Sequence, residues 1–301
     1  MPQRRPELYV PVITPFAADI SVDVDRFVKI SRALLASGAD GLAPFGTTSE
    51  ANSLTVPERK AALAALIQAG IPADRLIPGT GCCAVGDSVE LGAHAVSLGC
   101  RGVLALPPFY YKGVPEEGVF DAYARMIDGV GEAALKVYLY HIPQMSGVPV
   151  TLTLIERLVT AFPSVIAGLK DSSGDWENTR AVIENFPQLA TYSASEALVP
   201  QNAAAGGAGC ISASANVNPA GIRRLMDVLG GPQEATCLDQ VSAVRHAFET
   251  LPLIPAIKAA VAAQMEDPAY ARLRPPFTPV SEAQRDHIIE AVRLAGPQAA
   301  T

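Results

Sequence analysis

One pattern restricts this chain more than any other: between residues 8 and 231 a strand-like apolar run, a turn and an amphipathic helical segment follow one another eight times. The strand candidates are 8–13, 41–45, 75–79, 102–106, 136–141, 165–170, 189–193 and 209–212. Most are apolar at consecutive positions, not at alternate ones. Such strands are buried on both faces, as in a parallel sheet covered by helices. Eight consecutive β-α units are the number that closes a (β/α)8 TIM barrel.

The intervening segments have helical signatures. Residues 56–69 carry Leu63, Leu66 and Ile67 on one face with Pro57 in the first turn and Gly70 after the last. Leu154, Ile155, Leu158 and Val159 recur at helical spacing before Pro163, and Asp175 caps a helix expected to run to Phe186. Beyond Gly231 the strand pattern stops, and helices are expected near 233–251, 254–265 and 281–294. The expected organisation is a catalytic barrel over 1–231 and a C-terminal helical extension over 232–301.

Composition narrows the function. Apolar residues make up 49% and charged residues 18% of 301, enough to bury a large core. The net charge of −7 and the scattered Arg and Lys argue against nucleic acid as a partner. No apolar run is long enough to span a membrane, and Arg4 and Arg5 are not followed by a signal-like apolar stretch, so the expected location is the cytoplasm. The five cysteines are odd in number and have no CxxC spacing, which fits reduced thiols. His94, His141, His246 and His287 are dispersed, so no metal site is expected; His141 is expected to pack or hydrogen-bond at the barrel rim.

In a (β/α)8 barrel the chemistry sits at the C-terminal ends of the strands. Of six lysines, Lys170 alone ends a strongly apolar strand. Burial disfavours the charged form of an amine and makes a neutral nucleophile accessible, which suits attack on a ketone. The bland alternative is a buried ion pair of Lys170 with Asp171 or Glu50. Tyr140 ends the adjacent strand and offers a proton-transfer phenol, or simply a half-buried rim aromatic. Thr47 and Thr48 follow Gly46 and present two hydroxyls and two N–H groups to a small carboxylate, or serve as turn residues.

These residues fall in motifs that resemble the dihydrodipicolinate synthase and N-acetylneuraminate lyase superfamily of Schiff-base aldolases. GTTSE (46–50) resembles its GTTGE motif, YHIP (140–143) its tyrosine motif, GLKDSSGD (168–175) its lysine motif and GCISASANVNP (209–219) its last-strand motif. The resemblance implies a Schiff base between Lys170 and pyruvate or a related 2-oxo acid, proton transfer by Tyr140, and a substrate carboxylate held by Thr47 and Thr48, which also relay protons. It further implies that Ile211 lines the pocket and that Tyr111 reaches into a neighbouring subunit of a homo-oligomer, a tetramer or dimer. No cofactor is implied. Ser172, Ser195 and Glu196 are candidates for binding substrate hydroxyls, or helix caps.

Two positions depart from the motifs. Ser49 stands where the family has glycine, and Met145 stands where the dihydrodipicolinate synthases hold an arginine for the second substrate's distal carboxylate. A thioether reproduces neither the charge nor the donor fork of a guanidinium. The expected reaction is therefore cleavage or condensation of a 4-hydroxy-2-oxo acid or 2-keto-3-deoxy sugar acid. A dihydrodipicolinate synthase or a Schiff-base dehydratase is the alternative. Two other classes are weaker: an NAD-dependent oxidoreductase, from Gly79, Gly81 and Ala84 in a GxGxxA pattern, and a non-catalytic binding barrel.

Overall fold

The computed structural model describes residues 5–295, so the outermost ends of the expected 1–231 and 232–301 units lie outside the described residues. Seven strands, β1 (Glu7–Val10), β2 (Gly41–Leu42), β3 (Val103–Ala105), β4 (Val137–His141), β5 (Ile166–Asp171), β6 (Ala190–Ser193) and β7 (Gly209–Ile211), form one curled sheet in the order β2-β1-β7-β6-β5-β4-β3. Every strand pair is parallel.

The expected third strand is not a regular strand. Arg75 belongs to a 3-10 turn, and residues 76–79 make only isolated bridges, Leu42 with Leu76 and Gly79 with Leu104. The physical reason is Pro78, which has no N–H to give a ladder. Its carbonyl nevertheless accepts from Leu104 N at 2.9 Å, while Ile77 N donates to Leu42 O at 2.9 Å. The segment thus joins the two edges of the sheet.

Alternation along the strands sorts the side chains into two sets. Tyr9, Ala43, Ile77, Leu104, Tyr138, Tyr192 and Ile211 pack together inside the ring. Leu8, Leu42, Leu76, Val103, Leu139, Leu169 and Cys210 face outward into the larger cluster beneath the helices. Near the N-terminal ends of the strands the interior is plugged: Tyr192 donates to Glu7 at 2.5 Å, Arg101 pairs with Glu7 at 3.0 Å, and the rings of Tyr9 and Tyr192 meet edge-on. Side chains from the opposite, C-terminal ends line the cavity described below.

The outer layer contains α1 (Val24–Ala36), α2 (Val56–Gln68), α3 (Val85–Ser97), α4 (Glu116–Val130), α5 (Pro143–Ser146), α6 (Leu152–Ala161), α7 (Trp176–Asn185), α8 (Val199–Ala204) and α9 (Pro219–Asp227). Asp175 caps α7 by accepting from Glu177 N and Asn178 N. Three further helices follow: α10 (Glu234–Glu249), α11 (Leu253–Gln264) and α12 (Glu282–Ala295). Val241, Phe248, Ile257, Val261 and Ile288 from these helices belong to the same apolar cluster that lies under the outer layer.

The chain after α11 is tied back to the first half of the protein by Arg274. Its guanidinium pairs with Glu58 at 2.5 Å and lies 4.8 Å from the centre of the Phe16 ring. Glu58 also completes a capping box with Thr55 at the start of α2. The hydrogen bond from Arg274 holds the Glu58 carboxyl down at about 2, below its usual value.

A carboxylate with a depressed folded-state value contributes stability above its unfolded pKa and loses it as the pH falls towards the folded value. Between about pH 4.5 and 2 the protein is therefore expected to lose stability through Glu58. Urea midpoints across that window should be less acid-sensitive in Glu58→Gln.

Candidate active site

At the C-terminal ends of the strands Thr47, Thr48, Tyr140, Lys170, Ser172 and Ile211 line one cavity of about 290 Å³. Strand register explains the central pair. Tyr140 on β4 and Lys170 on β5 are direct neighbours across the ladder, so their side chains emerge on the same face at the same height. Lys170 Nζ lies 3.4 Å from the Tyr140 phenol oxygen and 4.4 Å from the ring centre. The Thr47 hydroxyl lies 3.3 Å from the same oxygen.

Both members of the pair are almost sealed, with Lys170 4% and Tyr140 3% exposed. Burial alone would raise the phenol's pKa. The neighbouring Lys170 ammonium and the hydrogen bond with Thr47 outweigh it and bring the phenol below its ordinary value. A phenol of lowered pKa between an amine and a hydroxyl has the geometry to pass a proton between them.

The ion-pair alternative for Lys170 is not what the structure adopts. Asp171 faces the other way and accepts from Ser173 N, Asn178 Nδ2 and Thr179 Oγ1, each at 2.8 Å. Glu50 pairs at 2.5 Å with a different lysine, Lys258 of α11, and both side chains are fully buried. Among the described residues Lys170 has no ion-paired carboxylate.

The Lys258–Glu50 pair sits directly behind the two threonines. Glu50 has left-handed backbone (φ 56°) and closes the tight turn that begins at Gly46. Lys258 also donates to Thr14 O at 2.9 Å, Thr14 donates to Ser49 O at 2.7 Å, and Ser49 donates to Val12 O at 2.6 Å. Ser49, which replaces the motif's glycine, thus ties the turn to the end of β1. Among the described residues neither Thr47 N–H nor Thr48 N–H has a protein acceptor. Burial pulls the Lys258 ammonium down to about 8 against the opposing pull of Glu50.

Three other sequence candidates lie elsewhere. Ser195 and Glu196 do not line the cavity. Ser195 caps a short 3-10 turn by accepting from Ala197 N. Glu196 is 1% exposed and accepts from Ser212 at 2.5 Å, from Ser214, and from Arg245 at 3.4 Å. Tyr111 is 73% exposed, outside this cavity, with its ring against Tyr110. His141 is buried at the rim, accepts from Val150 N at 3.0 Å on Nδ1, and is held below its usual pKa by burial.

Sequence reasoning missed an entire wall. Arg245, Phe248 and Glu249 from α10, with Leu251 and Leu253 beyond it, line the cavity together with Ile142 and Gln144. Helical periodicity signals that α10 is amphipathic but not which residues reach a strand end far away in sequence. Lys258 did carry a readable signal: it is the lone charge in the apolar helix LIPAIKAAVAAQ, and a buried ammonium needs a carboxylate.

The sequence matches the dihydrodipicolinate synthetase family over residues 6–295. The chain belongs to that family. It is 37% identical to an uncharacterised DapA-like lyase from Chloroflexus aurantiacus over 286 residues, 94% of this chain and 93% of the relative. The fold superposes on dihydrodipicolinate synthase from Agrobacterium tumefaciens with a TM-score of 0.88 at 28% identity, covering 96% of this chain and 99% of the other. A 2-keto-3-deoxygluconate aldolase variant from Sulfolobus solfataricus shares the fold with a TM-score of 0.85 at 21% identity, covering 96% and 95% of the two chains. Within this family's barrel, the cavity lies at the strand ends where barrel enzymes keep their chemistry.

Replacing Lys258 by Met would leave the Glu50 carboxylate buried and unpaired, a change that costs about 3–5 kcal/mol. Lys258→Met is therefore expected to show a much lower urea midpoint. The double variant Glu50→Gln/Lys258→Met should recover part of the loss, because no lone charge remains.

Proposed function

We propose that this protein is a class I aldolase that holds pyruvate, or a related 2-oxo acid, as a Schiff base on Lys170. The observation that carries this reading is an amine without a carboxylate partner, buried beside a phenol of lowered pKa. The free N–H groups of Thr47 and Thr48, with their hydroxyls, receive the substrate carboxylate without a full positive charge. That places the ketone carbon before Lys170.

The amine adds to the ketone and the carbinolamine loses water, with Tyr140 supplying and recovering the proton through Thr47. In the cleavage direction the C4 hydroxyl gives up its proton to this path and the C3–C4 bond breaks. The electron pair enters the protonated imine to form an enamine, and the aldehyde departs. Protonation at C3 and hydrolysis release pyruvate and regenerate the amine. Condensation is the reverse.

The substrate on this reading is a 4-hydroxy-2-oxo acid or 2-keto-3-deoxy acid. An aldehyde bearing its own carboxylate, such as aspartate semialdehyde, is disfavoured: Met145 is 62% exposed and does not line the cavity, and Arg245 is already held by Glu196 and Glu249. The exposed Tyr110 and Tyr111 support assembly into a homo-oligomer in which Tyr111 meets a second subunit's site. Among the described residues no helix is long and apolar enough to cross a membrane.

Treatment with pyruvate and borohydride is expected to inactivate the protein and to add one pyruvate-derived mass to the peptide containing Lys170; labelling elsewhere, or none at saturating pyruvate, removes the mechanism. Tyr140→Phe should still form the trapped adduct with pyruvate but turn over about 10²-fold more slowly. Condensation of pyruvate with aspartate semialdehyde should have a specificity constant roughly one to two powers of ten below that for neutral aldehydes, the cost of a missing charge-assisted contact. Comparable rates with both would show that position 145 has been misread.

A further inference from the structure

We infer that the aldehyde half of the substrate carries an apolar arm, aliphatic or aromatic, in place of a hydroxylated or charged chain. The inference rests on the Schiff-base reading above, which assigns the first three carbons of the substrate to Lys170, Thr47 and Thr48. What remains of the cavity must receive the arm beyond C4.

That remainder is walled by Ile142, Phe248, Leu251 and Leu253. Leu253 is 43% exposed, so part of its side chain is left for a ligand to cover. Removing such apolar surface from water favours binding in proportion to the area covered.

Most of the polar groups near this wall are already engaged. Ser214 donates to Glu196, and Glu196 also takes Ser212 and Arg245. Arg245 lies 3.4 Å from Glu196 and 3.4 Å from Glu249, so two carboxylates offset its one charge and an anionic arm gains little. Gln144 gives its amide N–H to Ser172 O at 2.6 Å. The Ser172 hydroxyl is itself a hydrogen-bond partner of the Tyr140 phenol, so the Gln144 carbonyl, Arg245 Nη2 and the outer edge of the half-exposed Glu249 carboxylate are left to meet an arm.

A chain bearing a hydroxyl on each carbon would bury more donors and acceptors than these three groups can satisfy, and each unmatched one opposes binding. An apolar arm leaves the existing network intact.

The test compares two 4-hydroxy-2-oxo acids of equal carbon number by pyruvate release. One has an alkyl or phenyl arm beyond C4, and the other has a hydroxyl on every carbon of the arm. The apolar substrate is expected to have a kcat/KM about 10–100-fold higher. Leu253→Asn and Leu251→Asn are each expected to narrow that ratio several-fold. Borohydride trapping of pyruvate alone, measured in each protein, reports the Schiff base independently of the arm. Equal or reversed preference with the Lys170 adduct intact overturns this inference alone. Absence of the adduct in the unmodified protein overturns the Schiff-base reading and this inference with it. A preference untouched by both substitutions shows that the wall does not discriminate, and it too overturns the assignment.

Discussion

The fully buried ion pair between Lys258 and Glu50 is the constraint on which the site depends. Two charges taken out of water are tolerable only together and only when their remaining valences are matched. Here they are: Lys258 bonds the Thr14 carbonyl and lies 4.2 Å from the centre of the Phe16 ring, and Glu50 accepts from Arg274 N at 3.2 Å. Each partner comes from a different part of the chain. The pair therefore fixes the turn bearing Thr47 and Thr48 against the end of β1 and against α11 at once. Arg274, clamped on Glu58 and stacked over Phe16, closes the same cluster from the C-terminal side.

With the turn held, Tyr140 and Lys170 are aligned by the sheet itself. Parallel pairing of β4 with β5 puts Tyr140 and Lys170 level, and the period of two sends both into the interior while Leu139 and Leu169 pack outward. The two neighbours that could have neutralised Lys170 are occupied elsewhere, Asp171 by α7 and Glu50 by Lys258. The Lys170 amine is thereby directed at Tyr140 and the cavity. Lysine and tyrosine come to face one another in the cavity through what their neighbours are prevented from doing.

Much of this was legible from the amino-acid order, because the signals are local. Strand runs at 136–141 and 165–170, the Asp175 cap and the helix after Thr55 follow from period, capping chemistry and breakers within ten residues or so. The segment 75–79 was apolar enough to read as a strand, but Pro78 reduced it to bridges. Ser195 and Glu196 were plausible ligands by position. The geometry places one on a helix cap and the other in a buried hydrogen-bond cluster, since nothing in the run SASEAL says which way a side chain at a strand end will turn.

The sequence by itself determined the repeating β-α plan, the strand ends that carry Thr47, Tyr140 and Lys170, and the family's motifs. These depend on side-chain type and spacing along one stretch of chain. Only the tertiary structure decided that Glu50 pairs with Lys258 and not with Lys170, and that α10 and α11 supply the cavity's far wall. The physical reason is distance along the chain: Glu50 meets Lys258 across 208 residues, and Glu196 meets Arg245 across 49. No local preference sets such encounters. They are fixed by how the whole ring closes and by which buried charges find partners when it does.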